Sequence, residues 1–286
     1  MAAADFAPRR EAFRKLHESG CFVIPNPWDR GTACYLAHLG FAALATTSAG
    51  FAFSRGLPDA AWAVPRDMML KHIADIVSAT DLPVNADFES GYAHDPAGVA
   101  ASVRLCVETG VAGLSIEDST GDREKPLYDL PLAVERIRAA RAVIDGSKSG
   151  VLLTGRAECF LVGHPDPLRE SIRRLQAYAE AGADVLYAPG VREPGAVQAI
   201  VDGVRPKPVN VLTSAGVTVS DLAELGVRRV SLGSALARAA WGGFIRAAKL
   251  LAAEGTAVGL DGAAPYAELN AFFLDALKEQ NREISD

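Results

Sequence analysis

The chain has 286 residues, of which 49% are hydrophobic, and its 29 basic and 35 acidic side chains give a net charge of -6. This length suits one α/β barrel, and the mild acidity disfavours the basic face that a nucleic-acid partner requires. The four cysteines are widely spaced, without a CxxC motif or zinc-ligand spacing. No signal pattern or membrane-length apolar run is present, so we expect a cytoplasmic protein without a membrane partner.

Short apolar runs alternate with helical stripes along almost the whole chain. Strands are predicted, in order, at 21–25, 41–47, 83–90, 113–117, 151–154, 184–187, 208–212 and 229–232. Helices are predicted at 7–19, 29–39, 65–79, 96–109, 132–144, 168–181, after 193, after 218, at 235–253 and at 267–282. The segment 51–64, rich in glycine and proline, is predicted as a long loop.

Eight strand-then-helix units in a row predict an α/β fold, a (β/α)8 TIM-type barrel. The strands are continuous apolar runs, as parallel strands covered by helices usually are. An open doubly wound sheet is the rival fold, but no GxGxxG follows the first strand. We expect one barrel domain over 1–286, with 255–286 as a C-terminal helical extension.

Charged and polar side chains lie at the ends of three of these strands. The groups are Asn85, Asp87 and Glu89, then Glu117 and Asp118, then Arg156 and Glu158. Barrel active sites form at the C-terminal strand ends, and oxygen ligands of this kind suit Mg²⁺. The ion would act as a Lewis acid on an enolate, Arg156 would clamp a substrate carboxylate, and the amides of Ala49 and Gly50 would hold an oxyanion.

These residues also have interpretations without chemistry. The pairs Glu117-Asp118 and Arg156-Glu158 would then form a structural ion-pair network at the barrel rim. The side chains of His17, His38 and His72 fall within predicted helices and are typical of surface or boundary positions, and Cys159 is typical of a buried, inert thiol.

Several motifs together resemble the isocitrate lyase/phosphoenolpyruvate mutase superfamily along nearly the whole chain. They are TTSAG, the NAD of VNADFESGY, the IED of GLSIEDS, GRAE and LGVRRVSLG. The resemblance implies an α/β barrel, Mg²⁺ (with Mn²⁺ as an alternative), and a homodimer or homotetramer in which a C-terminal helix is swapped between subunits. It also implies the making or breaking of a C–C or P–C bond beside a carboxylate.

The resemblance assigns roles to individual residues of this sequence. By position, Asp87, Glu117 and Asn85 match the metal shell, and Arg156, Asp59 and Glu117 match catalytic positions. Substrate contacts are implied for Ser48, Ala49, Gly50, Asn210 and Arg156.

The sequence also departs from the family pattern. Asn85 replaces the usual first aspartate of a DxD pair, which removes one charge from the metal shell. The KKCGH motif is absent, which disfavours isocitrate or methylisocitrate cleavage. In the loop STGDREKPLYDL, Lys125 is the only lysine and no asparagine occurs, which disfavours phosphoryl transfer within phosphonopyruvate.

The resulting functional hypothesis is a Mg²⁺-dependent lyase or hydrolase of a small 2-oxo or 2-hydroxy carboxylate, with oxaloacetate-like substrates favoured. The reaction would be C–C cleavage or decarboxylation through an enolate-like intermediate. A 2-oxo acid binding protein with little catalysis, and a phosphonopyruvate hydrolase or mutase, remain the alternatives.

Overall fold

The computed structural model describes residues 5–213 and 216–285. Two compact units divide the chain, Met1–Ser234 and Ala235–Asp286. The first unit contains every strand of the sheet, so it is the unit that positions the predicted site.

Eight parallel strands form the sheet, as the sequence predicts. They are β1 (Phe22–Ile24), β2 (Leu44–Ala45), β3 (Val84–Asp87), β4 (Gly113–Glu117), β5 (Leu152–Arg156), β6 (Val185–Tyr187), β7 (Val209–Leu212) and β8 (Arg229–Ser231). Their spatial order is β1-β8-β7-β6-β5-β4-β3-β2. A backbone hydrogen bond of 3.0 Å from the Ala45 amide to the Pro25 carbonyl joins the two ends. The predicted (β/α)8 TIM-type barrel is therefore confirmed.

Helices follow the strands along the chain. Those of the first unit are α1 (Ala7–Leu16), α2 (Arg30–His38), α3 (Ser48–Ser54), α4 (Arg66–Val77), α5 (Pro96–Glu108), α6 (Leu130–Gly146), α7 (Pro167–Glu180), α8 (Pro194–Val204) and α9 (Val219–Glu224). The predicted cap of α2 is confirmed, because the Asp29 side chain accepts from the Thr32 amide at 2.7 Å.

The segment predicted as loop from residue 51 is in part helical. Helix α3 begins at Ser48, and the side chain of Thr47 caps it by accepting a hydrogen bond from the Gly50 amide at 3.2 Å. A threonine at the N-cap satisfies an amide that the first helical turn leaves without a partner. Ser48, Ala49 and Gly50 therefore form the first turn of a helix.

One end of the barrel is filled by apolar side chains. Phe13 of α1 packs with Ile24 of β1 and Leu152 of β5, and all three are buried. Burial of side chains of this size stabilises the fold by about 1.5–3 kcal/mol each. Helix α1 thus closes the barrel at the N-terminal end of the strands.

The strand register brings polar side chains together at the opposite end. Asp87 lies beside Ser115, Glu117 beside Arg156, and Arg156 beside Tyr187. Because alternate residues of a strand share a face, the same face carries polar residues deeper in the barrel. On β8 these are Arg229 and Ser231, which lie beside Asn210 and Leu212 of β7.

The second unit is helical. It consists of α10 (Ala235–Glu254), a 3-10 turn (Val258–Leu260) and α11 (Tyr266–Ser285). Large apolar side chains are exposed on it, including Phe244 at 62% and Tyr266 at 82%. Among the described residues, every helix falls short of the length and apolarity that a membrane span requires.

Candidate active site

Arg156, the last residue of β5, lies among three carboxylates. Its Nη1 atom is 3.3 Å from Asp87 Oδ1 and 3.4 Å from Glu117 Oε2, and its Nε donates to Glu158 Oε1. The side chains of all four residues are less than 20% exposed. The structure therefore brings together four of the charged residues that the sequence places at the strand ends.

This cluster carries more negative than positive charge. Burial raises the pKa of Glu117 well above its usual range, Arg156 lowers it, and the charges of Glu158 and Asp87 raise it further. Burial also raises the pKa of Glu158, which Arg156 opposes. The pKa of Arg156 is raised: burial alone would lower it, but the three surrounding carboxylates outweigh that effect. A single guanidinium does not balance three carboxylates, so the site favours protonation or a further cation.

Asp87 also connects the cluster to helix α3. Its Oδ2 atom accepts from the Ser48 amide at 2.9 Å and from the Ser48 hydroxyl at 2.8 Å. Ala49 and Gly50 follow in the same turn and are buried. Ser48, one of the residues predicted to bind substrate, thus contacts the predicted metal ligand Asp87 directly.

A cavity of about 50 Å³ extends from this cluster into the barrel. Its lining includes Asn26, Asn85, Asp87, Ser115, Arg156, Tyr187, Asn210, Arg229 and Ser231. The Arg156 guanidinium lies 5.3 Å from the centre of the Tyr187 ring, a cation–π distance. Asn210 donates to Ser231 Oγ at 2.9 Å, so this predicted substrate residue is held by β8.

The loop between α3 and α4 approaches the site from outside. Asp59 lies on it in an exposed position, and partial burial of its carboxyl and the charge of Asp87 raise its pKa, whereas Arg156 lowers it. Trp62 of the same loop donates its amide to Glu89 at 3.2 Å, and Tyr92 donates its hydroxyl to Glu89 at 2.7 Å. Burial raises the pKa of Glu89 to about 7.

The backbone around Glu89 is strained. Trp62, Glu89 and Tyr92 all have positive φ angles, of 55°, 45° and 55°. Residues other than glycine rarely adopt this conformation, and such residues cluster at functional sites. The strain therefore agrees with a functional role for this edge of the barrel.

Asp118 belongs to a different network, although it follows Glu117 directly. Its Oδ2 atom accepts from Arg174 at 3.0 Å and from the Tyr178 hydroxyl at 2.5 Å, and its Oδ1 atom accepts from the Glu158 amide at 2.8 Å. Successive strand residues face opposite sides, which separates the two carboxylates. The structural ion-pair interpretation thus holds for Asp118, whereas Glu117 faces the site.

The cluster offers oxygen donors to a divalent cation. Among the described residues, no three His, Cys, Asp or Glu side chains form a cluster that would hold a metal by themselves, and Arg156 contacts both Asp87 and Glu117. Mg²⁺ is usually bound by one or two carboxylates plus water and substrate oxygens. Asp87 and Glu117 supply two carboxylates, and the buried Oδ1 of Asn85 has no hydrogen-bond partner within the described part of the chain. These residues fit Mg²⁺ completed by substrate oxygens.

Two buried features were not predicted from the sequence. Arg229 is 3% exposed and lies within the barrel, two residues before Ser231 on the same strand, so both side chains share one face. His72, predicted at a surface or boundary position, is 5% exposed and its ring stacks on Phe51 at 3.8 Å. That prediction was wrong because Phe51 of α3 covers this face of α4.

Comparisons with known proteins agree with the geometry. The family model described as phosphoenolpyruvate phosphomutase matches residues 13–252. A crystal structure from Burkholderia cenocepacia J2315, provisionally named a lyase/mutase, is 48% identical with a TM-score of 0.89 and covers 94% of this chain and 96% of that one. Oxaloacetate decarboxylase of Pseudomonas entomophila (strain L48) is 30% identical over 82% of both chains.

A further solved structure is oxaloacetate acetylhydrolase in complex with the product oxalate. It is 28% identical with a TM-score of 0.83 and covers 97% of this chain and 98% of that one. The resemblance seen in the motifs is thereby confirmed over most of the chain. This chain belongs to the phosphoenolpyruvate phosphomutase family, within the isocitrate lyase/phosphoenolpyruvate mutase superfamily.

Proposed function

We propose that this protein is a Mg²⁺-dependent lyase or hydrolase of a short 2-oxo or 2-hydroxy carboxylate, with oxaloacetate-like substrates favoured. The observation that carries the proposal is the position of Arg156 among Asp87, Glu117 and Glu158. One cation among three carboxylates leaves a local excess of negative charge. A divalent cation and a carboxylate substrate that enters with it would restore the balance.

Each residue of the site would have a separate role in such a reaction. Asp87 and Glu117 would hold Mg²⁺, with Asn85 contributing a neutral oxygen. When bound, the ion would stabilise the negative charge of an enolate. Arg156 would orient the substrate carboxylate through its planar fork, and the amides of Ala49 and Gly50 would donate to an oxyanion.

Two other residues complete the proposed site. Asn210 would contact the substrate from the cavity wall, and its amide is already fixed by Ser231. Asp59 would act from the loop beside the cluster, where burial raises its pKa and so favours its protonated form.

The relatives with named activities support the substrate class. The names of the acetylhydrolase and the decarboxylase both refer to oxaloacetate, and they differ in whether a C–C bond is hydrolysed or CO₂ is lost. Both reactions generate negative charge on the carbon beside a carbonyl group. The proposal therefore favours one of these two outcomes for this chain.

The test is turnover of oxaloacetate by the full chain, with Mg²⁺ and with EDTA, and with analysis of pyruvate, oxalate and acetate. Turnover above the uncatalysed rate should require Mg²⁺, and Asp87→Asn should abolish it. The control is Asp81→Asn, an exposed carboxylate paired with Arg9, which should retain full activity. Full activity of Asp87→Asn would contradict the proposal, and stoichiometric binding of oxaloacetate without product would instead identify a binding protein.

The same proposal includes a cytoplasmic homodimer or homotetramer with a C-terminal helix swapped between subunits. The exposed apolar side chains of α10, such as Phe244 and Ile245, support it, because surfaces of this kind often pack on a partner. Light scattering at micromolar concentration should give at least twice the 30.1 kDa mass of one chain. A monomer would overturn this part of the proposal.

A further inference from the structure

Arg229 is a buried cation at the inner end of the cavity. Its Nε donates to Asn210 Oδ1 at 2.9 Å, one Nη donates to Thr154 Oγ1 at 3.1 Å, and the other lies 3.4 Å from His17 Nε2. Burial lowers the pKa of Arg229 to about 10, so it stays charged at neutral pH.

All three partners of Arg229 are neutral. The Nδ1 atom of His17 lies 2.8 Å from the Phe13 carbonyl and donates to it, which leaves Nε2 as the acceptor for Arg229. Burial and the charge of Arg229 lower the pKa of His17 to about 3. Within the described residues Arg229 has no carboxylate partner, unlike the buried Arg156 and Arg174.

An isolated buried charge is unfavourable unless a partner compensates for it. A guanidinium carries five N–H donors, and its three partners here accept three of them. Two N–H donors and one full positive charge are therefore left for another acceptor. The acceptor best matched to such a planar fork is a carboxylate.

The cavity connects Arg229 with the cluster at the strand ends. The same cavity is lined by Arg156, Tyr187, Asn210 and Arg229. A short molecule with one carboxylate near Arg156 would direct its other end toward Arg229. Negative charge at the strand ends would repel a second carboxylate there, whereas Arg229 would attract it.

We propose that Arg229 binds the second carboxylate of a short 2-oxo dicarboxylate, and thereby selects dicarboxylates over monocarboxylates. This inference rests on the proposed function and specifies its substrate class. In the absence of substrate, the uncompensated charge of Arg229 lowers the stability of the folded protein. Substrate binding supplies the missing partner.

The experiment compares binding of malonate, a dicarboxylate, with binding of pyruvate, a 2-oxo monocarboxylate, by calorimetry in the presence of Mg²⁺. Wild-type protein should bind malonate more tightly, and Arg229→Met should weaken malonate binding by about tenfold or more, a change of about 1.4 kcal/mol. Pyruvate binding should change by less than about twofold, and the melting temperature of Arg229→Met should be equal to or above that of the wild type.

The matched control is Arg174→Met, which removes a buried arginine that has carboxylate partners, and it should melt well below the wild type. If Arg229→Met does not fold, Arg229→Lys keeps the charge without the fork, and it should weaken malonate binding alone. Unchanged malonate binding, or equal weakening of malonate and pyruvate, would overturn the inference. Because binding needs no turnover, failure of the proposed reaction would be seen separately as absence of product from oxaloacetate.

Discussion

Two arginines in one cavity have opposite surroundings. Arg156 at the strand ends faces Asp87, Glu117 and Glu158, and its pKa is raised, whereas Arg229 deeper in the barrel faces neutral groups and burial lowers its pKa to about 10. The outer region therefore has an excess of negative charge, and the inner region has an excess of positive charge. This difference suits a metal ion outside and a carboxylate inside.

A third arginine shows what a purely structural pairing looks like. Arg174 contacts Asp118 and Glu170, and Asp118 is further held by Tyr178. Burial lowers the pKa of Arg174, but the charge of Asp118 outweighs this and the pKa is raised. Its partners are all protein groups outside the cavity lining, so we expect it to contribute stability without chemistry.

The largest expected effect comes from removal of Arg156. Arg156→Met should lower kcat/KM for oxaloacetate by about 10²–10³-fold, because the positively charged donor that orients the carboxylate is lost. Steady-state kinetics measure the change. Arg156→Lys should recover only part of the activity because the planar fork is absent. If Arg156→Met had the same kcat/KM as the wild type, the proposed role of Arg156 in substrate binding would be contradicted.

Removal of Arg174 should affect stability instead. Arg174→Met leaves Asp118 buried without its charge partner, and the free energy of unfolding should fall by about 3–5 kcal/mol. The control is Arg173→Met, where an exposed arginine pairs with Glu170, and its loss should cost at most ~1 kcal/mol. Urea titration measures both. Equal effects of the two substitutions would contradict the distinction between buried and exposed pairs.

The pH dependence of stability tests the negative region directly. Burial raises the pKa of Glu89 from 4.5 to about 7, so the folded protein binds this proton more tightly than the unfolded chain does. The resulting stabilisation is fully present below pH 4.5 and is lost as pH rises toward about 7. Because one pKa unit corresponds to about 1.4 kcal/mol, the rise from 4.5 to about 7 corresponds to about 3.5 kcal/mol.

Urea titrations of wild type and Glu89→Gln between pH 4.5 and 8 in EDTA isolate this contribution. The difference in unfolding free energy between the two proteins should grow in favour of the variant as pH rises. A difference that is constant over this range would mean that Glu89 has an ordinary pKa.

The smallest expected effect concerns the cap of α3. Thr47→Ala should lower stability by about 1 kcal/mol, because the Gly50 amide loses its acceptor. Thr218 caps α9 in the same manner, through a hydrogen bond of 3.1 Å from the Asp221 amide, and Thr218→Ala is the matched control. Both variants should lose similar stability, but only Thr47→Ala should raise KM, since Ser48 lies beside Asp87. Equal KM values for Thr47→Ala and Thr218→Ala would show that α3 does not contribute to substrate binding.

Much of the barrel could be predicted because each unit repeats one pattern of apolar strand and amphipathic helix. Asp87, Glu117 and Arg156 each end such a strand, and consecutive parallel strands place their ends together. Their convergence in the structure therefore follows from the order of the units. Helix α3 was not predicted, because the glycine- and proline-containing sequence after Gly50 obscured the cap supplied by Thr47.

The buried position of Arg229 could not be predicted from the residues around it in the sequence. Arg229 lies 212 positions from His17, and nothing in either segment indicates the contact. The available signal was alternation, because Arg229 lies two residues before Ser231 on the same strand, so both side chains share one face. Arginine side chains are mostly exposed in proteins, because a buried arginine without a partner is unfavourable. This general preference spoke against a position for Arg229 inside the barrel.

The most direct measurement of the central claim is calorimetric titration of Mg²⁺ into the wild-type protein and Glu117→Gln, with and without oxalate, in two buffers of different protonation enthalpy. We predict one Mg²⁺ per chain, tighter binding with oxalate, and proton release on binding, because burial raises the pKa of Glu117 and a ligating carboxylate must be deprotonated. Glu117→Gln should lose most of the affinity and the proton release. Absence of Mg²⁺ binding by the wild-type protein, even with oxalate, would contradict the assignment of the strand-end carboxylates to a metal-dependent site.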